Sequence, residues 1–170
     1  MKNVVLIGFM GTGKTVVGRS LSGMLDYDFV ETDDLVKDVT GLPVSQVLKK
    51  YGEKRFRSEE ELIFRKLARK EKQVIATGAN LFWDDQLAIF KESGFLVLLE
   101  TAPDVLHKRL MRKSNRFPAG NKPSLEKLQQ LMLSRREGYL TLADLVINTS
   151  EVSVEEAAKT IAEKYGCSAE

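Results

Sequence analysis

The chain has 170 residues, of which 43% are apolar and 29% charged. This length and balance predict one domain over residues 1–170 that folds around its own apolar core, and the single cysteine, which excludes an internal disulfide, favours a cytoplasmic location. The 26 basic and 24 acidic side chains give a net charge of only +2, which argues against a nucleic-acid-binding protein.

Five short apolar runs alternate with stretches of helical periodicity along the chain. They lie at residues 4–7, 28–30, 74–76, 95–99 and 145–147. Continuous apolar runs favour strands buried on both faces, so we expect a three-layer α/β fold with a five-stranded parallel sheet and helices on both faces. None of these runs approaches the ~18 residues of a membrane span, so we expect no membrane association. Because Gly8 and Lys14 interrupt the first run, we do not expect export.

The last helix is predicted from its start and stop signals. Ser153 and Glu156 have the spacing of a capping box, and the helix is expected to end near Gly166.

A glycine-rich loop separates the first predicted strand from a helix predicted over residues 14–25. Its sequence, GFMGTGKT at residues 8–15, matches the pattern G-x-x-x-x-G-K-[ST] in the required strand–loop–helix setting. Glycines allow several backbone N–H groups to converge on phosphate oxygens, and the helix N-terminus adds partial positive charge. We therefore expect ATP to bind here, with Lys14 at the β and γ phosphates and the Thr15 hydroxyl on Mg²⁺. The alternative is a glycine-rich turn with a solvated lysine.

Two other classes of nucleotide-binding protein fit less well. The Asn-Lys-x-Asp base-recognition motif of GTPases fails, because Asn121 and Lys122 are followed by Pro123 and Ser124. Glu100 ends an apolar run as the carboxylate of motor ATPases does, but a solvated residue is the simpler interpretation. A small phosphotransferase remains the best class.

Carboxylates follow the second predicted strand. Glu31 and Asp33 would share a side of an extended segment, at the strand end where α/β sheets place ligands. One would hold a metal ion while the other orients an acceptor hydroxyl or takes its proton. The alternative is that Asp33 or Asp34 caps a helix running through Lys37.

Taken together, the motifs resemble the shikimate kinase family over residues 3 to about 164. The matching pieces are LIGFMGTGKT at 6–15, FVETD at 29–33, TG at 40–41, GE at 52–53, FRSEE at 56–60, ATG at 76–78 and ADL at 143–145. The resemblance implies a P-loop kinase fold and ATP-dependent phosphorylation of the 3-hydroxyl of shikimate, with Mg²⁺. It implies a small-molecule substrate, and we expect a monomer.

The resemblance also implies roles for individual residues. Those assigned to the nucleotide are Gly11, Thr12, Gly13, Lys14, Thr15, Val16, Arg109 and Arg116, with Thr15 and Glu31 assigned to the metal. The acceptor-binding region is expected at 31–72. The residues assigned to the acceptor are Asp33 and Arg57 within this region and Gly78, Ala79 and Arg135 outside it. Lys14, Asp33 and Arg116 are the implied catalytic residues.

The two acceptor arginines differ in their independent support. Arg135 shares a helical stripe with Leu128, Met132 and Tyr139, and an arginine on an apolar stripe needs an anion. A planar guanidinium matches a carboxylate with two parallel hydrogen bonds. Arg57 has the alternative of a surface ion pair with Glu61 four residues on.

A basic segment is the predicted mobile lid. Residues 107–122 contain six Lys and Arg and no carboxylate, and glycine, proline and asparagine loosen the lid itself, residues 113–123. The resemblance implies that Arg116 stabilises charge on the transferring phosphoryl group, and closure of the lid would exclude water. A solvated basic helix end is the alternative, and a nucleic-acid patch is disfavoured because no aromatic residues are interleaved.

The chain departs from the family pattern on the acceptor side. Gly78-Ala79-Asn80 stands where the family has three glycines, and Glu31 stands where it has aspartate. Two further hypotheses follow: a kinase for another hydroxy-acid or sugar acid such as gluconate, and a non-catalytic nucleotide-binding module.

Overall fold

Five parallel strands form one sheet in the part of the chain that the structure describes, in the order β2-β3-β1-β4-β5. The structure is a computed structural model that describes residues 2–78, 84–112 and 123–168. The strands are β1 Asn3–Ile7, β2 Asp28–Glu31, β3 Gln73–Ala76, β4 Gly94–Glu100 and β5 Leu145–Asn148. The predicted five-stranded parallel sheet is confirmed, with β4 one residue longer at each end than its apolar run.

Helices connect the strands and cover both faces of the sheet. They are α1 Lys14–Leu25, α2 Thr32–Thr40, α3 Val44–Ala68, α4 Asp84–Leu87, α5 Pro103–Arg112, α6 Leu125–Leu142 and α7 Val154–Ser168. A short 3-10 turn, Ala88–Phe90, follows α4, and α3 kinks at Gly52, whose φ is 79°. None of the helices in the described ranges is both long and apolar enough to cross a membrane.

Successive strand residues point to opposite faces and so build two cores. On one face, Val5, Ile7 and Leu98 pack against α2, α3 and α6. On the other, Leu6 and Leu99 pack against α1 and α7. This arrangement confirms the three-layer α/β fold, and the burial of the inner strands β1 and β4 on both faces explains why they are apolar without alternation.

The predicted capping box of the last helix is present. Glu156 Oε2 accepts from the Ser153 backbone N–H at 2.8 Å, and Ser153 Oγ accepts from the Glu156 N–H at 3.2 Å. Two first-turn donors are thereby satisfied. The helix continues to Ser168, past the predicted end at Gly166, because a glycine in a helical conformation does not by itself end a helix.

The carboxyl ends of β1, β2 and β3 lie side by side and position the candidate site. β3 pairs with both neighbours, with Ala76 opposite Leu6 of β1 and opposite Glu31 of β2. The loop after β1, the start of α2 and the residues after β3 therefore meet at one edge of the sheet, where α/β proteins bind ligands.

Candidate active site

The glycine-rich loop after β1 adopts backbone angles that favour glycine. Gly8, Gly11 and Gly13 have φ of 137°, 81° and 101°, and a Cβ on Gly8 would overlap the carbonyl oxygen of Leu99. Helix α1 begins directly after the loop at Lys14, and no side chain caps its first turn. Its N-terminal N–H groups and dipole are thus directed at the loop, which suits a phosphate group.

The Lys14 ammonium lies against this loop. Its Nζ donates to the carbonyl oxygens of Gly8 at 2.6 Å and Phe9 at 2.9 Å, and the residue is only 8% exposed. The structure therefore holds a positive charge beside the N–H groups of the loop. This is the position the sequence predicts for a phosphate-binding lysine.

A cavity of about 490 Å³ lies on the outer side of the loop. Among its lining residues are Gly11, Thr12, Gly13, Val16 and Arg109, five of the residues predicted to bind nucleotide. Arg109 donates to the Thr149 carbonyl at 2.9 Å, which fixes its guanidinium at the cavity wall. The cavity continues from the phosphate loop and has the size of a small-molecule site.

Thr15 and Glu31 are brought together as the sequence predicts. The Thr15 hydroxyl donates to Glu31 Oε1 across the start of α1 and the end of β2. Hydroxyl and carboxylate oxygens suit Mg²⁺, so these two residues fit the ion. The described residues contain no group of three or more His, Cys, Asp or Glu side chains able to hold a metal. An ion bound here would therefore take its other ligands from phosphates and water.

Asp33 lies in the first turn of α2, between the glycine loop and the end of β3. This placement corrects two expectations, because Glu31 and not Asp33 or Asp34 occupies the N-cap position, and Asp33 is helical and not part of an extended segment. The Gly78 N–H donates to the Thr32 hydroxyl at 2.8 Å, which joins α2 to β3. A Cβ on Gly78 would overlap Asp33 Oδ1, so a glycine is required for this close approach.

Both burial and nearby charges act on the Asp33 carboxyl. Its Oδ1 is buried and has no hydrogen-bond partner among the described residues. Burial raises the pKa of Asp33, the Lys14 ammonium opposes that rise, and Glu31 and Asp34 add to it. The structure thus brings the predicted base and the predicted phosphate-binding lysine into one electrostatic environment.

A second buried carboxyl, Glu60 on α3, faces Asp33. Glu60 is 1% exposed, and its Oε1 has no hydrogen-bond partner among the described residues. Burial and the nearby Asp33 raise the pKa of Glu60 to about 8, and the Arg57 guanidinium only partly offsets them. Both effects favour the protonated, neutral form of Glu60.

Arg57 lies one helical turn before Glu60. Its half-buried side chain faces Glu60 and also lines a polar cleft of about 620 Å³ on α3. Glu61, the alternative partner in the sequence, accepts from Arg65 at 2.7 Å. The structure therefore brings Arg57 to the Asp33–Glu60 pair.

Arg135, the other arginine predicted to bind the acceptor, lies on α6 and contacts the glycine-rich loop. Its guanidinium carbon lies 5.4 Å from the centre of the Phe9 ring, within the range of a cation–π contact. Phe9 belongs to the glycine loop, and Leu128 and Met132 on α6 pack in the same apolar cluster. The predicted stripe on α6 is thus present, and it places Arg135 beside the loop.

Some predicted features lie outside the described residues. These are Ala79, Arg116 and all of the predicted lid except Pro123. Pro123 directly precedes Ser124, whose side chain caps α6.

Comparison with known proteins agrees with this arrangement. The sequence model described as shikimate kinase matches residues 10–165. The chain belongs to the shikimate kinase family. A shikimate kinase from Pelotomaculum thermopropionicum is 42% identical over 162 residues, and the aligned part covers 95% of this chain and 94% of that enzyme. One from Thermodesulfovibrio yellowstonii is 37% identical over 166 residues, covering 97% and 95%.

Solved structures of shikimate kinases superpose on the chain. The enzyme from Acinetobacter baumannii, in complex with shikimate, gives a TM-score of 0.88 at 28% identity and covers 99% of this chain and 94% of its own. The enzyme from Aquifex aeolicus gives 0.84 at 32% identity, with 98% of each chain covered. The likeness extends over nearly the full length, so this shikimate kinase family member has the P-loop kinase fold.

Two features of the site in this family member were not predicted from the sequence. Glu60 lies in the FRSEE segment at 56–60, but the sequence does not reveal its burial, which depends on how α3 packs. Thr149 donates from its hydroxyl to the Thr12 carbonyl at 2.8 Å and so ties β5 to the glycine loop. Its position just after an apolar strand was the available signal.

Replacing Glu60 with glutamine should stabilise the folded protein more as the pH rises. The unfolded carboxyl ionises near its ordinary value of 4.5, whereas the folded one stays protonated up to about 8. Between these values the folded state binds the extra proton, so wild-type stability falls with pH, by at most about 5 kcal/mol from this group. Glutamine has nearly the same shape as protonated glutamate but cannot ionise, so the variant does not lose stability in this way as the pH rises.

The measurement is the free energy of unfolding in urea at about pH 5, 7 and 9 for both proteins. The advantage of Glu60→Gln over wild type should grow from the lowest to the middle pH and level off above about 8. Glu61→Gln, on the exposed side of α3, should show no such growth. A Glu60→Gln difference that does not change with pH would contradict the assigned protonation.

Proposed function

We propose that this shikimate kinase family member transfers the γ-phosphoryl group of ATP to the 3-hydroxyl of shikimate. The observation that carries the proposal is the placement of Asp33, whose buried carboxyl lies between the Lys14 loop and Gly78 at the sheet edge. A base or orienting carboxylate beside a phosphate-binding lysine is what transfer to a hydroxyl group requires.

The nucleotide binds on the glycine loop in this proposal. The N–H groups of residues 11–16 hold the phosphates, Lys14 contacts the β and γ phosphates, and Arg109 borders the remainder of the nucleotide. Thr15 and Glu31 hold Mg²⁺, directly or through water. When bound, the ion neutralises charge on the phosphate oxygens.

The acceptor binds between α2, α3 and α6. Arg57 and Arg135 approach from different helices and hold the carboxylate of the acid, which a forked guanidinium matches well. Gly78 lies directly beside Asp33, and Gly78 and Ala79 are the other residues that the family resemblance assigns to the acceptor. Asp33 then accepts a hydrogen bond from the reacting hydroxyl.

In the chemical step the protein positions the two substrates and stabilises charge, and it forms no covalent intermediate. The hydroxyl oxygen bonds to the γ-phosphorus, the bond from that phosphorus to the β–γ bridging oxygen breaks, and ADP leaves. Asp33 takes the hydroxyl proton, while Lys14, together with Arg116 from the lid, stabilises negative charge on the transferring group. We propose that the protein acts as a monomer.

A coupled assay of ADP release distinguishes the candidate functions. Shikimate should support ADP formation, whereas gluconate and a sample without acceptor should not. Turnover with gluconate alone would favour the second acceptor class, for which the Gly78-Ala79-Asn80 segment is the observation. Tight ATP binding without turnover on any acceptor would leave only a nucleotide-binding module.

Replacing Arg135 with alanine should weaken the acceptor and not the nucleotide. A charge-assisted hydrogen bond contributes about 1.5 to 3 kcal/mol, so we expect the KM for shikimate to rise by about 10- to 100-fold. The KM for ATP should change much less. Steady-state kinetics with each substrate varied in turn make the measurement.

Arg136→Ala is the matched control for this variant. Arg136 is the next residue on α6, and its guanidinium pairs with Glu100 at 2.6 Å. It should leave both KM values near those of the wild type. A larger rise for ATP than for shikimate in Arg135→Ala would remove Arg135 from the acceptor site.

A further inference from the structure

A second cavity lies behind the glycine loop, between α6 and the ends of β4 and β5. Its volume is about 400 Å³, within the range of small-molecule sites. It contains neither Asp33 nor Arg57 nor Arg109, and it is lined from the loop side by Phe9 and Thr12. The cavity shares Thr12 with the nucleotide cavity but contains none of the other described residues assigned to the nucleotide or to the acceptor.

The walls of this cavity are mainly apolar, and a charged pair lies at its mouth. Leu98, Leu99, Met132 and Tyr139 are among the wall residues. At the mouth, Arg136 of α6 pairs with Glu100 of β4, with Nε to Oε1 at 2.6 Å and a second contact at 3.4 Å. Both side chains are partly exposed, at 51% and 26%. The site thus combines an apolar interior with one positive and one negative group at its entrance.

We propose that this cavity binds a free amino acid with an apolar side chain. The side chain enters the apolar interior, the α-carboxylate binds Arg136 and the α-ammonium binds Glu100. When the Arg136–Glu100 ion pair separates to admit the amino acid, the ligand carboxylate neutralises Arg136 and the ligand ammonium neutralises Glu100. An apolar anion or cation alone would satisfy only one of them, so the rim selects a zwitterion.

The occupant would share a wall with the acceptor site. Phe9 lines the cavity and also supports the Arg135 guanidinium on its ring. Phe9 is only 7% exposed, and close-packed interiors transmit displacements, so an occupant that shifts its ring also shifts Arg135. Binding should therefore change the affinity for shikimate. This linkage rests on the proposed function, whereas the binding itself does not.

Isothermal titration with L-phenylalanine, without ATP or shikimate present, tests the binding. We expect saturable one-to-one binding with a Kd of about 1 mM or tighter. L-alanine lacks the apolar body and 3-phenylpropionate lacks the ammonium group, so each should bind at least about tenfold more weakly. Methyl NMR signals of Met132 should shift on addition of L-phenylalanine.

Two tryptophan variants on α6 locate the site. Leu133 lines the cavity yet is 69% exposed, so Leu133→Trp blocks the mouth at little risk to folding, and it should abolish binding. Leu140 is exposed on the same helix and is not a lining residue, so Leu140→Trp should bind as wild type does. No saturation up to about 10 mM L-phenylalanine, or unchanged binding in Leu133→Trp, would overturn the proposal.

The linkage has its own readout. The Kd for shikimate should differ between protein with and without saturating L-phenylalanine, and this difference should vanish in Leu133→Trp. A Kd for shikimate that L-phenylalanine leaves unchanged would overturn the linkage through Phe9. Failure of shikimate to bind at all would instead count against the proposed function.

Discussion

Replacing Asp33 with asparagine is expected to lower kcat with shikimate by about 10²- to 10⁴-fold, the range of a lost general base. Asparagine keeps the size of the side chain at the close approach to Gly78, but it can no longer take the hydroxyl proton. The KM for ATP should change little, because the glycine loop is untouched. Steady-state ADP release with both substrates saturating makes the measurement.

Asp34→Asn provides the control for this experiment. Asp34 is the next residue in the first turn of α2 and is exposed, so its replacement should leave kcat near the wild-type value. Thermal unfolding of both variants would show that the fold is kept. If Asp33→Asn retained kcat within about tenfold of wild type, neither proton transfer nor orientation by Asp33 would be needed.

Replacing Lys14 with methionine is expected to lower kcat/KM by about 10³-fold, since one charge-stabilising donor at the transferring group is lost. Methionine keeps the apolar stem of the side chain but removes the ammonium that contacts the Gly8 and Phe9 carbonyls. The loss should appear in both kcat and ATP affinity, because the lysine contacts phosphates before and during transfer.

Lys37→Met is the matched substitution for Lys14→Met. Lys37 is an exposed lysine in the last turn of α2, and its replacement removes the same charge away from the loop. It should leave kcat/KM near wild type. A Lys14→Met enzyme that stayed within about tenfold of wild type would contradict the assigned role of the loop lysine.

Features set by local backbone chemistry were predicted well from the sequence. The strands followed from apolar runs that α/β folds bury on both faces, and the loop followed from glycines that the observed positive φ values require. The capping box of α7 was predicted from two residues three apart. In each of these cases the signal and the structure lie within a few residues of each other.

Features set by packing between distant segments were not predicted. Asp33 was placed on an extended segment because nothing in the local sequence shows that α2 begins immediately at Thr32. The raised pKa of Glu60 depends on its burial and on Asp33, which lies 27 positions earlier. Long-range contacts of this kind leave no periodic pattern in the sequence, so only the folded structure reveals them.

A crystal structure with ADP and shikimate bound would test the central claim most directly. The account predicts that the guanidinium groups of Arg57 and Arg135 both contact the shikimate carboxylate, at about 2.7 to 2.9 Å, while the 3-hydroxyl lies against Asp33 and faces the glycine loop. Shikimate bound with both guanidinium groups turned to solvent, or with its 3-hydroxyl directed away from Asp33, would contradict it.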